Sequence, residues 1–285
     1  MSNVLSILDL PKLSIVLLLT IVPSILLLML ILYSDRKSRE PLLMLLICIF
    51  SGAFTICLSL IIDKILLKTV LAGATFLEDV NSYSVYKILL LAGVEEYSKM
   101  MILYIFLYRN KDYDDIYDGF VYSSIIALSF SLVETFMYVF SESSYDSMTS
   151  LATLRNFTAI PLHIACGIVM GYFVSLEKFS KNKVCKFKNM LLALLIPTLI
   201  HTIYNIFFSI VSMPDSSTFQ YGLIIVILFV LSIYFIGIMF IYKTSNLNKI
   251  FINNGFYPKR YRYLMRKNEF IYKESRRYYG AWCIL

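Results

Sequence analysis

An all-α fold, a polytopic transmembrane helical bundle of about seven spans, is predicted by three observations on this chain of 285 residues. Hydrophobic residues make up 59% of the chain and charged residues 16%, with a mean hydropathy of +0.73, beyond what a soluble domain of this size reaches. The apolar residues gather into stretches of about 20, the length that crosses a bilayer core as a helix. Helices rather than an open sheet follow, because lipid offers no partner to unpaired backbone groups.

The predicted spans run over residues 13–33, 41–62, 86–108, 119–140, 158–178, 189–211 and 220–243. The first lacks a basic n-region and a small-residue cleavage site after a short apolar stretch, so it is expected to be a retained span. Basic residues gather at Arg36, Lys37 and Arg39, between Lys178 and Lys188, and after Lys243, which places those segments in the cytoplasm. The connections at 142–156 and 213–219 are serine-rich, slightly acidic and nearly free of lysine and arginine, as expected outside. The N-terminus is thus expected outside and the C-terminus in the cytoplasm. Arg109 and Lys111 oppose Asp112, Asp114, Asp115 and Asp118 in the one mixed connection. Residues 1–243 are expected to form the membrane domain, with the site-bearing core at about 85–210. Residues 244–285 read as a basic, tyrosine-rich tail lying on the anionic lipid of the inner leaflet; no nucleic acid is expected as a partner. The five cysteines lack CxxC or CxxxC spacing and read as apolar packing residues.

The third span carries Glu95, Glu96 and Lys99 in an otherwise apolar run. Each charge near a helix centre costs about 2.5–3.5 kcal/mol to insert, so the cluster points to a functional site. Lys99 is one turn beyond both carboxylates and can hold the pair. One pairing is enough for structure, and the second carboxylate is in excess.

Counting inward from the outer ends at about 1.5 Å per residue places these glutamates, Glu134, His163, His201 and Asn205 in one layer on four helices, about 7–15 Å deep. The chain holds only two histidines, and both fall in this layer. His201 and Asn205 are one turn apart. Gly167 and Gly171 continue the His163 face and allow close approach of a neighbouring helix or of a substrate backbone. Arg155 can pair with a carboxylate or a lipid headgroup. Asn156-Phe157-Thr158 matches a glycosylation acceptor.

Such a layer supports hydrolysis: a buried carboxylate takes a proton from water while imidazole and amide groups donate to the developing oxyanion. The same groups suit a divalent metal such as zinc, with Glu96, Glu134, His163 and His201 as the ligand candidates. Glutamate-centred chemistry remains because HExxH, a GxS nucleophile turn and GxGD are all missing from the sequence. Buried carboxylates and histidines also build proton relays, so a proton-coupled transporter is the alternative, and a non-catalytic scaffold or immunity protein a third.

In these motifs the chain resembles the PrsW family of intramembrane proteases, within the group that includes the CAAX prenyl proteases and bacteriocin-immunity proteins. Glu95-Glu96-Tyr97-Ser98-Lys99 is similar to the family's EExxK, and Asp118-Gly119-Phe120-Val121-Tyr122 to its DGxVY. Phe130 to Glu134 is similar to FxxxE, His163 following Arg155 to the third motif, and His201 to Asn205 to HxxxN. Thr135 and Ser123 depart from the asparagine and glycine usual there. The resemblance implies an intramembrane endopeptidase that makes the site-1 cut in a single-pass membrane protein, typically an anti-sigma factor, on its extracytoplasmic side. In that reading Glu95 and Glu96 activate water, directly or on a metal. His163 and His201 are ligands or proton donors, Glu134 a ligand or orienting group, and Asn205 an oxyanion donor.

Overall fold

The computed structural model describes residues 10–35, 39–73, 80–211 and 216–253, and side chains in most of these. Among them the chain is a bundle of helices with no strand: α1 Leu10–Ser34, α2 Leu42–Gly73, α3 Val80–Ile102, α4 Ile116–Val139, α5 Tyr145–Phe157, α6 Ala159–Phe179, α7 Lys183–Val211 and α8 Ser216–Asn253. Among the described residues six stretches are long and apolar enough to cross a membrane: Leu10–Ser34, Leu42–Leu66, Ile116–Val139, Tyr145–Phe179, Lys183–Ser209 and Ile227–Lys249. They match six of the seven predicted spans. The seventh, at 86–108, is helical too, as α3 continued by a π-helical stretch Leu103–Tyr108. It falls short in apolarity because it carries the charges of the site.

Three boundaries differ from expectation. The segment 142–156, expected as an open connection, folds into α5, whose start is capped by Ser144 accepting from the Ser147 amide at 3.1 Å. It buries Met148 and Ala152 against Val16 of α1 and Val139 of α4. Its serines and threonines satisfy the helix backbone instead of opening a loop: Thr149 and Thr153 donate back to the preceding turn. Helix α2 continues past residue 62 to Gly73, and α8 past residue 243 to Asn253. The tail beyond, and part of the connection at 213–219, lie outside the described residues.

The core is the antiparallel pair α4 and α6, the most closely packed in the bundle. A Cβ at Gly167 would stand 2.7 Å from the Ser123 carbonyl oxygen and 2.8 Å from Ala127 Cβ, and one at Gly171 would run into the Gly119 carbonyl. These glycines serve helix packing, which in lipid rests on close van der Waals contact. Ser123, at the position where a glycine is usual, donates to the Gly167 carbonyl at 2.7 Å and holds the crossing together. Helix α4 starts in a reciprocal cap: the Asp115 side chain accepts from the Asp118 amide at 2.9 Å, and Asp118 accepts from that of Asp115 at 2.8 Å. The DGxVY-like stretch is therefore architecture: a helix cap, a close-packing glycine, and Tyr122 donating to Glu40.

Helix α3 packs on α2 and α7 and touches α4 far less. Its π-helical end is gripped by α6, where Lys178 donates to the Tyr108 carbonyl and lies 4.1 Å from the Tyr113 ring centre. In the connection before α4, Tyr113 donates to Ser175, whose own hydroxyl is committed to the Ile116 carbonyl. Burial pushes the Tyr113 phenol well above its ordinary range, so it stays a neutral donor. Cys48, Cys57 and Cys166 are free thiols, two of them buried.

Candidate active site

Six of the seven expected site residues meet in one buried network spanning α3, α4, α6 and α7. Glu96, Lys99, His163 and His201 have side chains no more than 3% exposed, while Glu95 and Glu134 at 18% and 14% form the side that can be reached. Lys99 Nζ lies 2.7 Å from Glu96 Oε1 and 2.9 Å from His163 Nδ1. His163 Nε2 lies 2.9 Å from Glu134 Oε2, which also accepts from Arg155 at 2.6 Å. His201 Nδ1 lies 3.0 Å from Glu96 Oε1. The two imidazoles meet edge to face, with ring centres 4.9 Å apart.

Charges alternate along this chain: Glu96, Lys99, the neutral ring of His163, Glu134, Arg155. Removing charges from water is costly, and alternation with a hydrogen bond at each step offsets that cost. Lys99, expected to hold the carboxylate pair, lies against Glu96; its other bond goes to His163 rather than Glu95. Glu95 Oε2 is buried without a hydrogen-bond partner among the described residues and lies 3.8 Å from His201 Nε2. A donor Nδ1–H of His201 facing Glu96 leaves Nε2 with its lone pair directed toward Glu95.

Helix α7 brings His201 in one turn after Pro197, whose missing N–H frees a backbone carbonyl in that stretch. Asn205 is half-buried one turn further on; its side chain makes no hydrogen bond among the described residues, and its carbonyl accepts from Ser209. Sequence reasoning left Arg155 open between carboxylate and lipid; here it pairs with Glu134 and donates through Nε to Thr135 Oγ1 at 3.0 Å. The hydroxyl of Thr135 thus does the work needed beside Glu134. Asn156 donates to the Leu19 carbonyl at 2.8 Å, so its amide nitrogen is committed to the fold. Two aromatic rings lie within 5 Å of a cation: Phe130, the first residue of the FxxxE-like stretch, beneath Lys99, and Tyr138, which no motif singles out, beneath Arg155. The signal for Tyr138 is an aromatic one turn after Glu134.

A model of the family described as "PrsW family intramembrane metalloprotease" matches residues 40–234. The chain belongs to the PrsW family of intramembrane proteases. Protease PrsW of Clostridioides difficile (strain 630) is 30% identical over 240 residues, covering 83% of this chain and 94% of that relative. Protease PrsW of Bacillus subtilis (strain 168) is 28% identical over 185 residues, 65% of this chain and 78% of its own. That of Oceanobacillus iheyensis is 34% identical over 115 residues, 40% of this chain and half of its own. No solved structure matches. Membership decides among the readings that the sequence left open: the buried polar layer belongs to a multi-pass membrane protease rather than to a transporter or a scaffold.

The PrsW description includes a metal, and the geometry can be tested for one. Glu95, His163 and His201 offer donor atoms that all lie within 4.8 Å of one another. The orphaned Glu95 oxygen and the His201 Nε2 lone pair suit a divalent ion such as zinc. The expected alternatives Glu96 and Glu134 have their facing oxygens shared by Lys99 with His201 and by Arg155 with His163. That geometry resembles the outer carboxylates that orient ligand histidines.

Proposed function

We propose that this protease hydrolyses a peptide bond of a single-pass membrane protein near its extracytoplasmic face, with an anti-sigma-factor-like protein as the substrate class. One observation carries the assignment of chemistry: among the described residues Glu95 is the site carboxylate that accepts no hydrogen bond, its buried Oε2 lying beside His201, whereas Glu96 and Glu134 each engage two partners through one oxygen. Without a bound ion, Glu95 takes the proton from the attacking water, and its unpaired Oε2 is the basic atom. Glu96 orients His201 through Nδ1, keeping Nε2 toward the reacting centre. His163 and Glu134, fixed by Lys99 and Arg155, form the opposite wall. Asn205, one turn from His201, donates to the oxyanion. Glu95 and His201 would hold a divalent metal such as zinc, Glu95 Oε2 then acting as ligand instead of base; His163, whose ring nitrogens face Lys99 and Glu134, would join only by releasing Lys99. An ion held there would polarise the scissile carbonyl and ease ionisation of water.

The extracytoplasmic placement rests on the basic connections, which put the N-terminus outside and the glutamates in the outer half of the bilayer. The name PrsW protease shared by the relatives supports a membrane-protein substrate. The test compares N-termini of membrane proteins in cells carrying the wild-type chain, Glu95→Gln or Glu96→Gln at equal abundance under envelope stress. New extracytoplasmic termini confined to the wild type are expected and would identify the substrate. Identical termini in all three strains under several stresses would remove the assignment.

A further inference from the structure

Lys99 is 1% exposed, so its ammonium has no water to which it can direct its three hydrogens. Two find partners in Glu96 Oε1 and His163 Nδ1, and the third side faces the ring of Phe130, whose centre is 4.2 Å from Nζ. The same ring lies 5.3 Å from that of His163 at 59°. Phe130 itself is 1% exposed. An ammonium has donors and no lone pair, so His163 Nδ1 accepts. The single ring proton of the neutral imidazole is then on Nε2, where Glu134 Oε2 receives it at 2.9 Å. A π-face attracts the cation and, being apolar, keeps out water that would compete for the ammonium.

We propose that Phe130 is a positioning residue: by seating the Lys99 ammonium against His163 Nδ1, it fixes His163 as the Nε2–H tautomer directed at Glu134. The effect on cleavage rests on the proposed function; the tautomer rests on geometry alone. An aliphatic side chain of similar volume would fill the space without attracting the ammonium. Lys99 could then turn wholly toward Glu96, and Nδ1 would lose its donor.

The test uses the full chain, freed of metal by a chelator, in lipid nanodiscs with ring-15N histidine. Only two imidazoles contribute, since the chain has two histidines, and His201→Gln serves to assign them. In the unsubstituted protein His163 is expected to show a bare Nδ1 and a protonated Nε2. Trifluorophenylalanine at Phe130 keeps the ring's shape but withdraws charge from its face. It is expected to bring in the Nδ1–H tautomer and to slow cleavage by about 10-fold, the lower range for loss of an outer-shell partner. Phe130→Leu is expected to do the same, and the fluorinated ring keeps the test valid if that variant fails to fold. A protonated Nδ1 in the unsubstituted protein, or a lone Nε2–H tautomer surviving the fluorinated ring, would overturn the proposal. The tautomer response without any cleavage by the wild type would support it while overturning the proposed function.

Discussion

At the scale of single residues, a carboxylate buried without partners is expensive to keep ionised, and the fold distributes that expense unevenly. Glu96 shares one oxygen between Lys99 and His201 and leaves the other unpaired, while Glu95, its neighbour in sequence, accepts no hydrogen bond among the described residues. Glu95→Gln is therefore expected to abolish cleavage, by about 10²–10⁴-fold as for loss of a general base, with thermal stability unchanged or raised. Glu96→Gln is expected to lose activity and stability together. Lys99→Met leaves Glu96 buried without its cation, which costs about 3–5 kcal/mol in comparable pairs. Chemical denaturation in detergent micelles measures both, and a Glu96→Gln protein as stable as the wild type would refute the pairing argument. Removal of metal by a strong chelator, followed by zinc, is expected to stop and restore cleavage in purified protein. Undiminished cleavage after chelation would assign the reaction to the carboxylate alone.

At the scale of elements, the α4–α6 crossing sets His163 opposite Phe130 and Glu134, and the glycines allow the approach. Gly167→Val must push α6 away from the Ser123 carbonyl and is expected to destabilise by about 1–3 kcal/mol. Cleavage should fall with it although no site residue is touched; a fully active, fully stable Gly167→Val protein would argue against this register. The spans were legible because lipid permits only long apolar helices, and the site because buried charge is conspicuous among them. Helix α5 was not, since its capping and back-bonding serines and threonines have the composition of a loop, and its one apolar stripe is short. The fate of Arg155 was equally hidden. Whether a guanidinium at a span's edge turns outward to headgroups or inward to Glu134 depends on the angle at which α5 meets α6, and no local pattern specifies that angle. Gly167 and Gly171 looked alike as packing or as substrate surface until the Gly119 and Ser123 backbone was seen against them.

At the scale of the whole molecule, the bundle is a frame that brings four helices to one point, with α3 held between α2 and α7 and against α6 by its charged partners. The orientation proposed for it makes a topological prediction. A cysteine replacing Asp146 on α5 should react with an impermeant maleimide in intact cells, whereas one replacing Lys181, between α6 and α7, should react only after permeabilisation. The reverse pattern would turn the protein over and put cleavage on the cytoplasmic face.

The π-helical stretch Leu103–Tyr108 has a consequence for anyone aligning relatives of this chain. A π turn holds about one residue more than an α turn over the same climb, so a chain one residue shorter can rewind this stretch as ordinary helix and still present Lys99 above and the Asp115 cap below. A single-residue gap between Lys99 and Arg109 is then a length difference the helix absorbs within the bilayer, where gaps are otherwise least expected. The same gap between Glu95 and Lys99 would turn the lysine away from Glu96 and could not be absorbed.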